Sequence, residues 1–506
     1  MYPPSLSLIA TASLAFTLGQ AKSTLFWGAT IIAFDQETEA LRVIRNGSLL
    51  VTDDRIAAVN TDPSPGNVPE DTELVDVSEQ IITPGFVDTH RHGWQTAFRT
   101  LASNTTLAEY IGRYGEFAAA ASFTAEDVYL GQLIGLYEDI SAGVTTLLDH
   151  AHHTWSNETA YAGLNASAES GVRVFWAYTF HNITTLNYTV SDQIPNFREI
   201  AESKILDDSP TELGIAYDSW GPNPGAETEA IAGLIKEYNV SVMTTHCLGG
   251  PWGFDNFPSH IQKFGVLEGA APIVFSHSSD MPPMEAQLAR STGHRISITP
   301  ESEMHYGQGR KTAYYAGDIA SLGIDTHFTF SGDLLTQARM WMQQVRGLFY
   351  QQTLDGWEVP SKNPVSVYQA FMLATRDGGL ALRRPDLGVI RPGAKADIVV
   401  WDAKSSLSML GWVDPVAAVI LHANAGDVLH VLVDGKWKKR DGKVLADEYP
   451  EQRAAFLESA RRIQRIFRET EYPVLEGEWS SGYPFASPRI YDTEPGEGNG
   501  YGQQFL

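Results

Sequence analysis

The middle of the chain repeats one pattern: a short run of apolar and β-branched residues, followed by an amphipathic stretch with helical periodicity. Eight such runs lie between residues 82 and 385. Continuous apolar strands that alternate with helices indicate a parallel sheet covered on both faces, and eight such units predict a closed (β/α)₈ barrel. The predicted strands end near Asp88, Asp149, Thr179, Asp218, His246, His277, Thr299 and Asp325.

The two ends of the chain carry a different pattern. Residues 22–81 and 386–448 alternate apolar and polar positions and break at glycine turns, which predicts short antiparallel strands. Two β-rich segments on either side of a barrel are most simply one small domain. We therefore expect an α/β fold, in which a TIM-like barrel over residues 82–385 carries a β-sandwich built from both chain ends. Residues 449–506 predict a C-terminal helix and an irregular tail.

Composition limits the possible partners. The chain has 506 residues, of which 43% are hydrophobic, and a formal net charge of −25. Such a charge disfavours nucleic acid and anionic membranes, which bind basic surfaces. The longest basic cluster, KWKKR at Lys436–Arg440, is expected to be a solvated turn between strands. No segment after the amino terminus has the roughly 18 apolar residues of a membrane span. The partners that the composition allows are a small-molecule substrate and further copies of this chain in a homo-oligomer.

The amino terminus predicts secretion. Residues 1–21 contain an apolar segment that ends in a small-x-small pattern at Gly19 and Ala21, as a cleaved signal peptide does. Seven N-x-S/T sequons favour the same route and a glycoprotein; their asparagines are Asn46, Asn104, Asn157, Asn165, Asn182, Asn187 and Asn239. The alternative is a cytoplasmic protein whose hydrophobic amino-terminal extension is retained. The lone Cys247 excludes an internal disulfide and does not decide between the two.

The ends of the predicted strands carry metal-ligating side chains. Residues two apart on a strand point the same way, so His90 and His92 can bind one cation together. His246 and His277 end the fifth and sixth runs, and Asp325 ends the eighth. Active sites of barrels lie at this edge, and imidazoles with a carboxylate suit one divalent metal, Zn²⁺ or Fe²⁺. The alternative reading is a set of buried core histidines.

The order of the motifs adds a resemblance. PGFVDTHRH, GVTTLLDH, TTH, VFSH, SLGID and GVIRPGAKADIVVWD follow one another along the chain. Together they resemble the amidohydrolase superfamily, in its triazine-hydrolase and cytosine-deaminase-like branch. The resemblance implies a mononuclear site with His90, His92, His246 and Asp325 as metal ligands. It also implies that Asp325 is the general base and that His277 faces the attacking water or the substrate. The fourth run, LGIAYDSW, has no lysine that could form the bridging carbamate of binuclear members.

One position departs from the family pattern. Deaminases of the superfamily place a proton-shuttling glutamate three residues after the strand-five histidine, where this chain has Gly249. Glu301 and Glu303 after the seventh run, or Asp255 after the fifth, are candidate substitutes; the alternative for each is a solvated loop acid. His152 is a candidate substrate contact. Tryptophans that follow the strands, among them Trp94, are candidates for an aromatic pocket wall.

The sequence thus predicts a zinc- or iron-dependent hydrolase that cleaves a C–N bond, or a C–halogen or C–O bond, of a small cyclic compound. The missing glutamate leaves a second hypothesis open, a metal-dependent lyase or dehydratase of specialised metabolism. A third hypothesis is a barrel that binds metal without catalysis.

Overall fold

The computed structural model describes residues 23–63, 68–309 and 312–488. The predicted signal peptide and residues 489–506 of the predicted tail lie outside the described residues.

Eight parallel strands form the predicted barrel. Each strand pairs with its neighbours in chain order, and the first and last meet where the backbone N–H of Asp325 donates to the carbonyl of His90 over 2.8 Å. The predicted (β/α)₈ fold is therefore confirmed; the residue bounds of the two domains stay a prediction. The barrel strands are β6 (Phe86–Arg91), β7 (Val144–Ala151), β8 (Arg173–Phe180), β9 (Glu212–Tyr217), β10 (Met243–Gly249), β11 (Ile273–Asp280), β12 (Arg295–Ile298) and β13 (Ala320–Leu322).

Helices surround the barrel, and several of them begin at polar caps. The Thr124 side chain, for example, accepts a hydrogen bond from the Asp127 backbone, and Gly143 ends the same helix at φ +85°, where glycine is favoured. The helices are α1 (Leu107–Arg113), α2 (Glu116–Ala119), α3 (Ala125–Ala142), α4 (Asn157–Ser170), α5 (Val190–Glu202), α6 (Glu227–Tyr238), α7 (Pro258–Gln262), α8 (Pro283–Ser291), α9 (Pro300–His305), α10 (Thr312–Tyr315), α11 (Leu334–Asp355), α12 (Val367–Ala374), α13 (Arg376–Ala381), α14 (Pro415–Ala417) and α15 (Tyr449–Glu469).

A second sheet joins the two ends of the chain, as predicted. Its central strand, β5, pairs with β1 from one end and with β14 from the other. Its strands are β1 (Ser23–Asp35), β2 (Ala40–Thr52), β3 (Arg55–Asn60), β4 (Glu73–Asp76), β5 (Ile81–Pro84), β14 (Ile398–Trp401), β15 (Val428–Val433), β16 (Lys436–Arg440) and β17 (Lys443–Val444).

The basic cluster KWKKR is strand β16, which corrects the expectation of a solvated turn. The strand covers part of the barrel: Lys439 is buried and its Nζ donates to the Ser141 carbonyl over 2.8 Å. Arg440 pairs with Glu73 over 2.6 Å. Two of the basic side chains, Lys439 and Arg440, therefore have partners within the fold, whereas Lys436 is exposed.

The carboxyl-terminal part of the chain returns to the barrel. Helix α15 packs on α3, where Ser459 Oγ donates to Asp127 Oδ1 over 2.6 Å. Beyond the helix, Trp479 Nε1 donates to the Trp252 carbonyl over 3.0 Å. Among the described helices, none is both long and apolar enough to cross a membrane.

Candidate metal centre

Four side chains from three parts of the barrel converge at the carboxyl edge of its strands. His92 Nε2 lies 3.2 Å from Asp325 Oδ1 and 3.3 Å from His246 Nε2, and His90 Nε2 lies 3.4 Å from Asp325 Oδ1. His90 and His92 point the same way because they are two residues apart on an extended chain. The structure thus brings the four sequence-predicted ligands to one edge of the barrel in two overlapping groups, His90 with His92 and Asp325, and His90 with His150 and His246.

The other ring nitrogen of each imidazole is held by the barrel. Nδ1 of His92 lies 3.0 Å from the His150 carbonyl, and Nδ1 of His246 lies 2.7 Å from Asp218 Oδ2. Both partners are acceptors, so each Nδ1 carries the proton and each Nε2 keeps its lone pair. Nδ1 of His90 bonds Ser276 Oγ over 2.8 Å. Such outer contacts orient metal-binding imidazoles.

Burial and charge tune these groups for metal binding. Burial lowers the pKa of His90 to about 3, which keeps this imidazole neutral. Burial opposes ionisation of Asp325, but the close imidazoles of His90 and His92 outweigh it and hold the pKa of that carboxyl well below its usual range. Burial also disfavours protonation of His246, but the Asp218 carboxylate outweighs this effect and raises the pKa of His246. Ser302 Oγ donates to Asp325 Oδ2, which leaves Oδ1 directed at the histidines.

The donor set fits a divalent metal. His90 Nε2 is fully buried and has no hydrogen-bond partner among the described residues, and an unpartnered buried nitrogen calls for an explanation such as an ion. Three imidazole nitrogens and one carboxylate oxygen are ligands of zinc or ferrous iron. His150 Nε2 lies near the same point and 3.4 Å from Asp218 Oδ2, although the sequence did not distinguish it as a ligand.

His277 faces the centre from β11. Its ring lies parallel to that of His246, with centroids 5.7 Å apart, and its Nδ1 bonds Thr299 Oγ1 over 2.8 Å. Its backbone has φ +67°, and Asp325 has φ +71°. Such values are uncommon outside glycine and often mark functional positions.

A cavity of about 260 Å³ lies over the metal centre. Its floor is polar and includes His92, His246, His277 and Asp325. Its walls are mainly apolar and include Leu107, Ile111, Phe117, Phe180, Leu248 and Phe254. Of the described residues that line the cavity, none is a lysine or an arginine. This lining suits an uncharged, largely apolar or cyclic small molecule.

The predicted aromatic wall is corrected by the structure. Trp94, Trp155 and Trp220 are almost completely buried, beneath the cavity lining rather than in it. Trp94 instead positions a predicted substrate contact: its Nε1 donates to His152 Nδ1 over 3.0 Å. The His152 ring stacks on His92 with centroids 3.9 Å apart and lines the cavity. The hydrogen bond to His152 satisfies the indole N–H of Trp94 and so allows its apolar surface to be buried.

Glu301 and Glu303 also depart from the expectation, because neither lines the cavity. Glu303 accepts a hydrogen bond from the Thr299 backbone over 2.8 Å at the start of α9. Glu301 accepts one from Gln337 Nε2 over 3.0 Å. Asp255 likewise lies outside the lining. Sequence reasoning found the open edge of the barrel but not the direction of these side chains.

Two carboxyl groups of the cavity were not recognised as site residues from the sequence. Asp218 ends a predicted strand, so its position was visible, but its bond to His246 was not. Glu116 lies in α2, 24 residues after His92 (116 − 92), and carries no motif. The strand-five position, Gly249, holds no side chain: its φ is +76°, and a Cβ there would lie 2.6 Å from the Asp280 carbonyl oxygen.

The fold and the converging ligands together define a metal-dependent enzyme of the (β/α)₈ class. The model of the amidohydrolase family matches residues 81–438. The chain belongs to this family of metal-dependent hydrolases.

Similar proteins agree with this placement. A 5-methylthioadenosine/S-adenosylhomocysteine deaminase of Syntrophomonas wolfei is 24% identical over 83% of this chain and 95% of its own length. A 5′-deoxyadenosine deaminase of Methanothermobacter thermautotrophicus is 25% identical over 80% of this chain and 92% of its own. Among solved structures, an adenosine deaminase from Xanthomonas campestris with bound zinc has a TM-score of 0.75, at 17% identity over 88% of this chain and 99% of that chain. A zinc complex of atrazine chlorohydrolase from Arthrobacter aurescens has a TM-score of 0.71, at 18% identity over 86% and 100%.

Proposed function

We propose that this protein hydrolyses a carbon–nitrogen bond of a small cyclic compound at a mononuclear metal site. The observation that supports this proposal is a group of four converging side chains beneath the cavity: His90, His92, His246 and Asp325. Relatives named as deaminases favour a C–N bond. A C–halogen or C–O bond is the alternative within the same chemistry, since a chlorohydrolase shares the fold.

One zinc ion is the proposed cofactor, with ferrous iron as the other ion that suits this donor set. When bound, zinc supplies Lewis acidity and lowers the pKa of water toward neutrality. A single ion is supported by β9, which offers no lysine for a bridging carbamate. Its neighbouring carboxylate, Asp218, is already bonded to His246 and to backbone.

Two residues are proposed to act directly on the reacting atoms, one as a general base and one as a polarising group. Asp325 takes a proton from the attacking water, because Ser302 holds one carboxylate oxygen and leaves the other facing the cavity floor. His277 polarises the atom under attack, since Thr299 holds its Nδ1 and its ring lies on the floor. General acid–base groups of this kind contribute about 10²- to 10⁴-fold in rate.

The test combines metal analysis with a substrate panel. Purified protein is expected to hold about one metal ion per chain by elemental analysis, and His90→Ala is expected to lose it. The panel is 5-methylthioadenosine, S-adenosylhomocysteine, 5′-deoxyadenosine, guanine and atrazine, together with simple lactams and lactones, read by mass spectrometry. Metal-free wild-type protein, or full activity of His90→Ala on a compound that the wild type converts, would overturn the proposal.

A lyase or dehydratase is the second candidate, favoured by Gly249, which leaves no carboxyl group at the usual proton-shuttle position. Water labelled with heavy oxygen separates the two reactions. Hydrolysis places the label in the product, whereas elimination does not.

We also propose that the protein is secreted and glycosylated. All seven sequon asparagines are exposed in the structure, although two asparagines outside sequons, Asn196 and Asn256, are buried. Expression in a secretory eukaryotic host should deliver the protein to the medium in a form that becomes smaller on treatment with a peptide N-glycosidase. Retention in the cytoplasm without glycans would contradict this localisation.

A further inference from the structure

The proposed C–N hydrolysis needs a proton donor on the substrate side of the metal centre. Replacing an exocyclic amino group by a carbonyl places a proton on the adjacent ring nitrogen and one on the departing amine. Gly249 cannot supply either, and a longer side chain does not fit there, because a Cβ would meet the Asp280 carbonyl oxygen at 2.6 Å. The donor must therefore come from another element of the cavity.

Three carboxyl groups line the cavity, and two of them are engaged. Asp325 bonds Ser302 and faces His90 and His92. Asp218 bonds the ring and the backbone N–H of His246. The carboxyl group of the third, Glu116, has no hydrogen-bond or ion-pair partner on another residue in the described part of the chain, yet Glu116 lines the cavity.

The backbone holds Glu116 in this position. The preceding residue, Gly115, donates its N–H to the Tyr110 carbonyl over 2.9 Å. The following residue, Phe117, packs its ring 5.6 Å from that of His181, which also lines the cavity. Glu116 thus shares one cavity with the metal-directed side chains of His92 and His246.

The surroundings of Glu116 favour a carboxyl group that exchanges protons. Burial raises the pKa of Glu116, and the nearby Asp218 charge adds to this effect, whereas His246 and His92 oppose it. None of the described residues that line the cavity is a lysine or an arginine that would hold Glu116 permanently ionised. An acid whose pKa lies nearer to neutrality is better suited to general acid catalysis.

We propose that Glu116 is the catalytic residue that carries the substrate-side proton in place of the absent carboxyl group at Gly249; this rests on the proposed hydrolysis. As water loses a proton to Asp325 and its oxygen bonds the ring carbon, Glu116 protonates the adjacent ring nitrogen, which receives the electrons of the C=N bond. The C–N bond then breaks with its electron pair on nitrogen, and Asp325 returns its proton to the departing amine. The remaining hydroxyl proton passes to the Glu116 carboxylate as the C=O bond forms, so ammonia leaves and both residues are restored.

The experiment compares Glu116→Gln, Glu116→Asp and Glu126→Gln in the zinc-loaded protein. Glu126 is an exposed glutamate of α3 outside the cavity. Glu126→Gln therefore controls for the effect of replacing a glutamate by glutamine away from the site. On a panel compound that the wild type converts, Glu116→Gln should lower kcat by about 100-fold or more, with KM and zinc content nearly unchanged. Glu116→Asp should recover part of kcat, and Glu126→Gln should match the wild type. Retention of kcat in Glu116→Gln, or a rise in KM alone, would overturn the proposal.

An infrared measurement decides the role of Glu116 without turnover. In the difference spectrum between wild type and Glu116→Gln, recorded over a series of pH values, the protonated carboxyl band of Glu116 should change to the carboxylate band at a higher pH than the band of a glutamate in a short peptide does. A transition at the same pH as in the peptide, or below it, would overturn the proposal. Absence of turnover by the wild type on the whole panel would instead count against the proposed hydrolysis, so the two failures are distinguishable.

Discussion

Asp218 fixes the position of one metal-directed side chain at several points. Its Oδ2 lies 2.7 Å from His246 Nδ1, and its Oδ1 accepts from the His246 backbone and from Thr245 Oγ1. A carboxylate in this arrangement orients the ring and increases the basicity of its free nitrogen. The residue is therefore expected to act on metal affinity rather than on the substrate.

We expect Asp218→Asn to weaken zinc binding by about 10- to 100-fold, the usual effect of losing such a partner. Competition with a chromogenic zinc chelator measures the change. The matched control is Asp208→Asn, an exposed aspartate outside the cavity, which should bind zinc like the wild type. Equal affinity in Asp218→Asn and the wild type would contradict this role.

At the residue scale, the sequence predicted which side chains lie at the strand ends but not where loop side chains point. His90, His92, His246 and Asp325 follow from strand periodicity and from the shared edge of parallel strands. The burial of Trp94 depends on its partner His152, 58 residues away. Glu116 reaches the cavity from a helix that follows the strand, a placement set by tertiary packing rather than by local pattern.

At the element scale, helix α9 begins with a carboxyl group that favours the protonated form. Glu303 is 2% exposed, and burial raises its pKa from 4.5 to about 8. The folded chain therefore binds this proton more tightly than the unfolded chain does. The stabilisation is complete below pH 4.5 and is lost as the pH rises through about 8.

The expected consequence is a pH-dependent advantage for Glu303→Gln, which cannot ionise. Between pH 4.5 and about 8, the Glu303 contribution makes the wild-type free energy of unfolding fall by up to about 1.4 kcal/mol per pH unit. The variant should show a flatter profile, measured by urea unfolding at a series of pH values. Glu126→Gln should follow the wild type, and parallel profiles of Glu303→Gln and the wild type would disprove the expectation.

The elements themselves were well predicted. All eight apolar runs became parallel strands, because continuous β-branched segments between helices have one stable arrangement. The prediction of a solvated turn for the KWKKR cluster was wrong. The cluster forms strand β16, which packs Lys439 against the barrel. A long lysine stem can cover apolar surface while its amine reaches a carbonyl, and charge alone does not reveal that.

At the scale of the whole molecule, the segment after α15 spans two groups of elements that form the cavity walls. Tyr472 stacks under the Arg113 guanidinium at 3.8 Å, beside the helices that carry Leu107 and Glu116. Trp479 bonds the Trp252 carbonyl, in the loop that carries Phe254. The segment therefore contacts two groups of elements that contribute residues to the cavity lining.

Trp479→Ala should loosen this connection and raise KM several-fold, with zinc content unchanged. Steady-state kinetics on an accepted panel compound measures KM, and limited proteolysis should cleave the loop around Trp252 faster than in the wild type. Trp357→Ala, which removes a 98% exposed tryptophan, is the control and should leave both unchanged. An unaltered KM with unaltered proteolysis in Trp479→Ala would contradict the role.

The sheet that joins both chain ends also has a consequence for biosynthesis. Trp401 Nε1 donates to Thr83 Oγ1, a partner 318 residues earlier in the chain, and β5 pairs with β14 across a similar separation. Pairings this distant in sequence slow folding. The early strands must remain without one neighbour until almost the whole chain has left the ribosome, so the nascent protein should depend on chaperones that shield open strand edges.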